Sequence, residues 1–150
     1  MTIELNKTYN FTVDNVSFGD IPPERIPIIL RDGRVASFFL EEQLTHWFPE
    51  LTRIEGNKDH DHIDRKGRKY DAKNFTKGGM EYKPSNMLGK GRTFIKEVAH
   101  KKADGLIYIC CDIVEFPKVR VKFICGKDFA KDYPKCEVPP GHRHREALFG

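Results

Sequence analysis

The sequence has no apolar run approaching the roughly 20 residues that cross a bilayer, so no transmembrane helix is expected. Glu4, Asn6 and Lys7 stand where a secretory signal would run from basic to apolar, which points to a cytoplasmic protein. Cysteine is scarce: Cys110, Cys111, Cys125 and Cys136 contain no CxxC pair, so the usual zinc spacing is missing. Cys110 and Cys111 are neighbours in an apolar run, and strand alternation would send them to opposite faces as buried, reduced thiols. There is no internal repeat, and Gly89-Lys90-Gly91-Arg92 lacks the spacing of a phosphate-binding P-loop. At 150 residues the chain is too short for two well-formed cores, and a single domain over 1–150 is expected.

What is present is positive charge, unevenly placed. The chain carries 26 Lys and Arg against 22 Asp and Glu. Between Lys58 and Lys102 the balance is 13 to 6, and over the remainder it is 13 to 16. A local excess of this kind forms a cationic surface for a phosphate backbone, supplying affinity without sequence information.

Periodicity divides the chain into short elements. Ile3, Leu5, Tyr9, Phe11 and Val13 share one parity, as in a strand or bent strand pair. Residues 21–30 hold three prolines and read as an extended connector, so N-terminal strands over about 1–30 precede the core. Leu40, Leu44, Trp47 and Phe48 mark a helix over about 36–48, ended by Pro49. A strand near 51–54, a hairpin over 59–76, a loop over 77–91 and a helix from Thr93 to about Asp104 follow, the last closed by Gly105. Residues 106–114 are nearly all apolar, as in a strand buried on both faces, 119–124 alternate as another strand, and 127–132 form a short helix. The tail carries Pro139-Pro140 and the cluster His142-Arg143-His144-Arg145. The order predicts an α/β single domain, a mixed sheet flanked by helices.

The hairpin carries the chemistry. Acid-x-Lys occurs as Asp64-Arg65-Lys66, Asp71-Ala72-Lys73 and Glu81-Tyr82-Lys83, so geometry must choose among them. A turn centred on Lys66-Gly67 would pair Asp64 with Lys69, Ile63 with Tyr70 and His62 with Asp71. His60, His62, Asp64, Asp71 and Lys73 then share one face, with Asp64 and Asp71 on a diagonal of about 7–8 Å. Two carboxylates and the Ala72 backbone carbonyl make the hard oxygen environment that Mg²⁺ prefers. Lys73 would point at the same place, ready to hold a phosphate and help activate a water. Asp59 and Asp61 are rival carboxylates, and a bulge in the hairpin would bring Asp61 to the site face.

A helix with Glu41 and Glu42, then Asp64, the strand Asp71-Ala72-Lys73, a helix and a further strand together resemble the PD-(D/E)XK nuclease superfamily, which includes most type II restriction endonucleases. The resemblance spans about Val35 to Ile124 and matches the family's αβββαβ core order, with Ile63 in place of the nominal proline and Asp71 in place of the commoner glutamate. It implies a Mg²⁺-dependent endonuclease, with Mn²⁺ able to substitute, that cuts double-stranded DNA in the manner of a restriction enzyme. Asp64 and Asp71 would be the metal ligands and Lys73 the catalytic lysine. A glutamate of the first helix joins the metal in many members; Glu41 lies nearer the apolar stripe than Glu42 and is the better candidate. A double-strand cut by one-site chains implies a homodimer, and a restriction role implies a cognate methyltransferase. Repair, junction-resolving and phage nucleases share the fold, and a DNA-binding module without chemistry is the contrasting class.

The loop after the Asp71 strand mixes glycines with Lys77, Lys83, Ser85, Asn86, Lys90 and Arg92, residue types suited to phosphates and base edges, and it is the expected DNA-contacting segment. His62 is placed to tune Asp71 or touch DNA. His60 and His62 have no supporting ligand motif, so no zinc site is expected.

Overall fold

The computed structural model describes residues 2–56, 59–84, 87–89 and 91–150. Strand β1 (Thr8–Thr12) leads the fold. The proline-rich segment expected to be extended is helical: a 3-10 turn over Pro23–Arg25 runs into α1 (Ile26–Leu30). Its prolines occupy first-turn positions, where a missing N–H costs no helical bond. Helix α2 (Gly33–Trp47) starts ahead of its apolar stripe because Asp32 caps it, accepting from the backbone N–H groups of Arg34 and Val35. Leu40 and Leu44 are buried along one face of α2, and replacing either by alanine is expected to cost about 2–5 kcal/mol.

The chain continues through β2 (Thr52–Arg53), β3 (His62–Ile63), β4 (Lys69–Phe75), β5 (Met80–Glu81), α3 (Lys96–Asp104), β6 (Ile107–Asp112), β7 (Lys118–Cys125), α4 (Gly126–Asp132), β8 (Glu137–Val138) and α5 (His142–Phe149). Six strands form one mixed sheet in the order β1-β7-β6-β4-β3-β2; β4 and β6 are parallel, bridged by α3, and the other neighbours are antiparallel. β5 and β8 make a separate two-stranded ribbon.

Each face of the sheet has its own core. Tyr70, Ile109, Cys111, Val121 and Phe123 pack with Leu40, Leu44 and Phe48 on the α2 side. Phe75, Tyr108, Cys110 and Ile124 pack with α3, α4 and α5 through Ala99, Ala103, Phe129, Leu148 and Phe149. Cys110 and Cys111 thus face opposite sides, and all four cysteines are free. α3 presents only alanines to the second core, so it lies close to the sheet; a Cβ on Gly126 would collide with the Ala103 carbonyl. α5, which the tail's basic cluster did not announce, is held by Arg120–Glu146 and Arg145–Asp112 pairs, both at 2.8 Å. The result is a mixed α/β domain with helices on both faces of the sheet. Among the described residues no helix is long and apolar enough to cross a membrane.

Candidate active site

The hairpin register places the site, and it differs by one residue from the sequence expectation. His62 pairs with Tyr70 and Ile63 with Lys69. The turn explains the slip. Gly67 N–H donates to the Asp64 carbonyl at 3.0 Å, Gly67 has φ 81°, and Asp64 N–H donates to the Arg68 carbonyl at 3.1 Å. This is a tight turn followed by a left-handed glycine bulge, which makes the loop one residue longer than a symmetric turn. Because side chains alternate along a strand, the slip exchanges the two faces of β3.

Asp64 therefore does not meet Asp71. Its carboxylate is buried in the turn and accepts from the N–H groups of Lys66 and Arg68 (both 2.9 Å), the Arg68 guanidinium (2.7 Å) and the Tyr70 hydroxyl (2.7 Å). Burial alone would raise its pKa, but the hydrogen bonds from Tyr70, Arg68 and Lys66 outweigh it and hold the group at about 2. It is a fully satisfied structural carboxylate.

Asp61 takes the expected place. Its backbone is fixed on both sides, the N–H donating to the Tyr70 carbonyl and the carbonyl accepting from Ile54 N–H, both at 2.8 Å. Its Oδ2 accepts the Ala72 N–H at 2.9 Å, and its carboxyl group lies within hydrogen-bonding reach of Asp71. Lys73 Nζ stands 3.2 Å from Asp71 Oδ2. Burial, then the neighbouring Asp61, push the Asp71 carboxyl up to about 6, although Lys73 pulls the other way. Asp71 and Lys73 share the second face of β4 with Phe75, at the floor of a recess of about 180 Å³ also bounded by Asp59, Tyr82, Lys83, Lys102 and Tyr108. Sequence reasoning placed Asp61 on the wrong face and passed over Tyr82, Lys102 and Tyr108, whose convergence depends on the β4–α3–β6 crossover.

The remaining expected residues separate. Glu41 is buried on the opposite side of the sheet, its Oε2 3.2 Å from an Arg53 nitrogen, and it does not approach Asp71. His62 points the same way, is fully buried, and sets its Nε2 2.8 Å from the Glu41 carbonyl, so it offers no surface to DNA. Burial lowers its pKa and keeps the ring neutral. Lys83 does reach the recess, where Glu81 (2.9 Å) and Glu137 (3.2 Å) pair with it and raise its pKa. Lys77 is exposed beyond the end of β4, by a cavity next to Asp32 and Gly33. Arg92 is exposed after α3's leading loop. Ser85, Asn86 and Lys90 lie outside the described residues.

Among the described residues no three His, Cys, Asp or Glu side chains form a metal cluster. Mg²⁺ asks for less, since one or two carboxylates with water and substrate phosphate complete its octahedron. The Asp61–Asp71 pair, with a carboxyl group that ionises reluctantly, fits a cation of that kind. Strand geometry turns the Ala72 carbonyl to the same edge as its N–H, beside Asp61.

Neither the protein-family models nor the curated proteins nor the solved structures include a match to this chain.

Proposed function

We propose that the chain is a Mg²⁺-dependent DNA endonuclease with Asp61, Asp71 and Lys73 at its reacting centre. The observation that carries this reading is the carboxylate pair itself, with Lys73 3.2 Å from Asp71 at the floor of a recess edged by further lysines. The succession α2, β2, β3, β4, α3, β6 also follows the αβββαβ order of the PD-(D/E)XK nucleases.

The chain's own groups divide the work. Asp61 is oriented by the Ala72 N–H, and Asp71 is ionised above about pH 6, so the pair is doubly negative at neutral pH. When bound, Mg²⁺ would supply charge neutralisation of the phosphodiester and acidify a water. Lys73, in contact with Asp71, is placed to transfer its ammonium to a non-bridging phosphate oxygen and stabilise the charge that grows there. In the hydrolysis, the water oxygen bonds to phosphorus, the bond to the departing sugar oxygen breaks, and that oxygen takes up a proton. A two-fold pair of chains would cut both strands, the arrangement a restriction role requires.

Supercoiled plasmid incubated with Mg²⁺ should be nicked or linearised, EDTA should prevent it, and Lys73→Ala should slow it by about 10²-fold or more. DNA binding without product in either Mg²⁺ or Mn²⁺ would leave a binding module and end the nuclease reading.

A further inference from the structure

The recess does not end at the catalytic floor. A second cavity, of about 470 Å³, adjoins it and shares Asp59, Pro84 and Lys102 with it. Lys69 lies two positions before Asp71 on β4, on the same face, so Lys69, Asp71 and Lys73 form one stripe running through both cavities. The facing wall is α3, where Val98 and Lys102 stand one turn apart, and Leu106 closes the apolar side. Val98 is 52 % exposed, a large apolar side chain left open beside a charged site.

This lining alternates in a way that suits one nucleotide. Lys69 and Lys102 are cations at a phosphate's reach from the catalytic stripe, while Val98, Leu106 and Pro84 offer an apolar wall for a base or sugar. The Asp71 side chain is only 17 % exposed, so a phosphate must descend to reach it. A continuous duplex, stiff and about as wide as its grooves are deep, meets the rim, whereas a strand released from its partner can follow the trough.

Resting on the nuclease reading, we propose that the cavity between β4 and α3 is a subsite for an unpaired nucleotide next to the scissile phosphate. The favoured substrate is then duplex DNA with a frayed, flapped or otherwise unpaired strand at the cut. Lys69 and Lys102 grip its flanking phosphate and Val98 packs against its base.

The test uses a duplex with 2-aminopurine beside an unpaired junction, and the same sequence fully paired. In EDTA, the wild-type chain should bind the junction about tenfold or more tightly than the paired duplex, because the unpairing cost has been met in advance. The 2-aminopurine emission should change on binding. Val98→Asp, a change at an exposed position, should erase both the preference and the emission change, and Lys102→Ala should flatten the salt dependence of junction binding by roughly 0.7 in log–log slope. Equal affinity for both DNAs, unaffected by Val98→Asp, overturns the subsite. If Mg²⁺ cleavage persists in that case, the nuclease reading survives alone; binding of the junction with the expected pattern but no cleavage overturns the nuclease reading and keeps the subsite.

Discussion

Asp64 and Asp71 lie seven positions apart on one hairpin and live in opposite environments. Asp64 collects four hydrogen bonds from Lys66, Arg68 and Tyr70 and ionises at about 2. Asp71 shares its space with a second carboxyl group, has Lys73 as its cation, and ionises at about 6. The first has every partner it can use, so its role is complete within the folded chain. The second is held in a state that a further cation would relieve, which is the mark of a group kept for something outside the chain. Satisfaction, more than the identity of the residue or its place in a motif, separates the turn from the site.

The sharpest way to break this contrast is to neutralise each carboxylate in turn. Asp71→Asn should reduce plasmid cleavage by about 10²–10³-fold or more, with no loss of stability, since it removes a carboxylate that burial disfavours. Asp64→Asn should do the reverse. Its amide leaves Arg68 and the Tyr70 hydroxyl without their acceptor, at a cost of about 3 kcal/mol in denaturant unfolding, while cleavage below the unfolding transition stays within a few-fold of wild type. Cleavage lost in a folded Asp64→Asn and kept in Asp71→Asn would reverse the assignment.

That the site fell to Asp61 was legible in part. Asp64-x-x-Gly67 carries the residue types of a tight turn with glycine at its last position, and that pattern signals an odd loop and a bulge. A symmetric turn at Lys66-Gly67 ignores it, and one residue of slip is enough to exchange Asp64 for Asp61. The β4 strand, the α2 and α3 helices and the doubly buried β6 follow directly from periodicity. Other features depend on partners distant in the chain. Arg145 appears in sequence as part of a basic tail, yet it turns inward to the buried Asp112 at 2.8 Å and helps make α5. The helical turn at Pro23 and α1 needed Ile26 and Leu30 to find the first core. Glu41 was chosen for its nearness to the apolar stripe, and that same nearness buries it against the far face of the sheet, beside Arg53.

Acidity sharpens the comparison further, because the two carboxylates act on stability with opposite sign. Asp71 ionises at about 6 when folded, above the ordinary value of 3.8. Unfolding therefore releases it to ionise more readily, and the metal-free chain should lose about 3 kcal/mol as pH rises from 4 through 6. Asp64 is shifted down, to about 2 from 3.8, so its contribution is complete above pH 4 and about 2 kcal/mol is lost as pH falls toward 2. Unfolding free energies measured in EDTA should thus peak near pH 4. In Asp71→Asn the fall between pH 4 and 6 should disappear while the acid limb remains. Mg²⁺ at pH 8 should raise the melting temperature of the wild type and leave that of Asp71→Asn unchanged; equal shifts in both would place the cation elsewhere.

The smallest expected effect tests whether charge or position selects the DNA contacts. Lys77 belongs to the same basic stretch as Lys102, but it sits beyond β4 near the start of α2, about 20 Å along the strand from Asp71 at roughly 3.3 Å per residue. That separation exceeds the screening length of about 8 Å at physiological salt. Lys77→Ala should therefore change cleavage and junction affinity by less than about twofold, where Lys102→Ala changes both by more. Equal losses in the two variants would mean that DNA follows the net charge of the stretch, and that the trough beside Asp71 adds nothing to it.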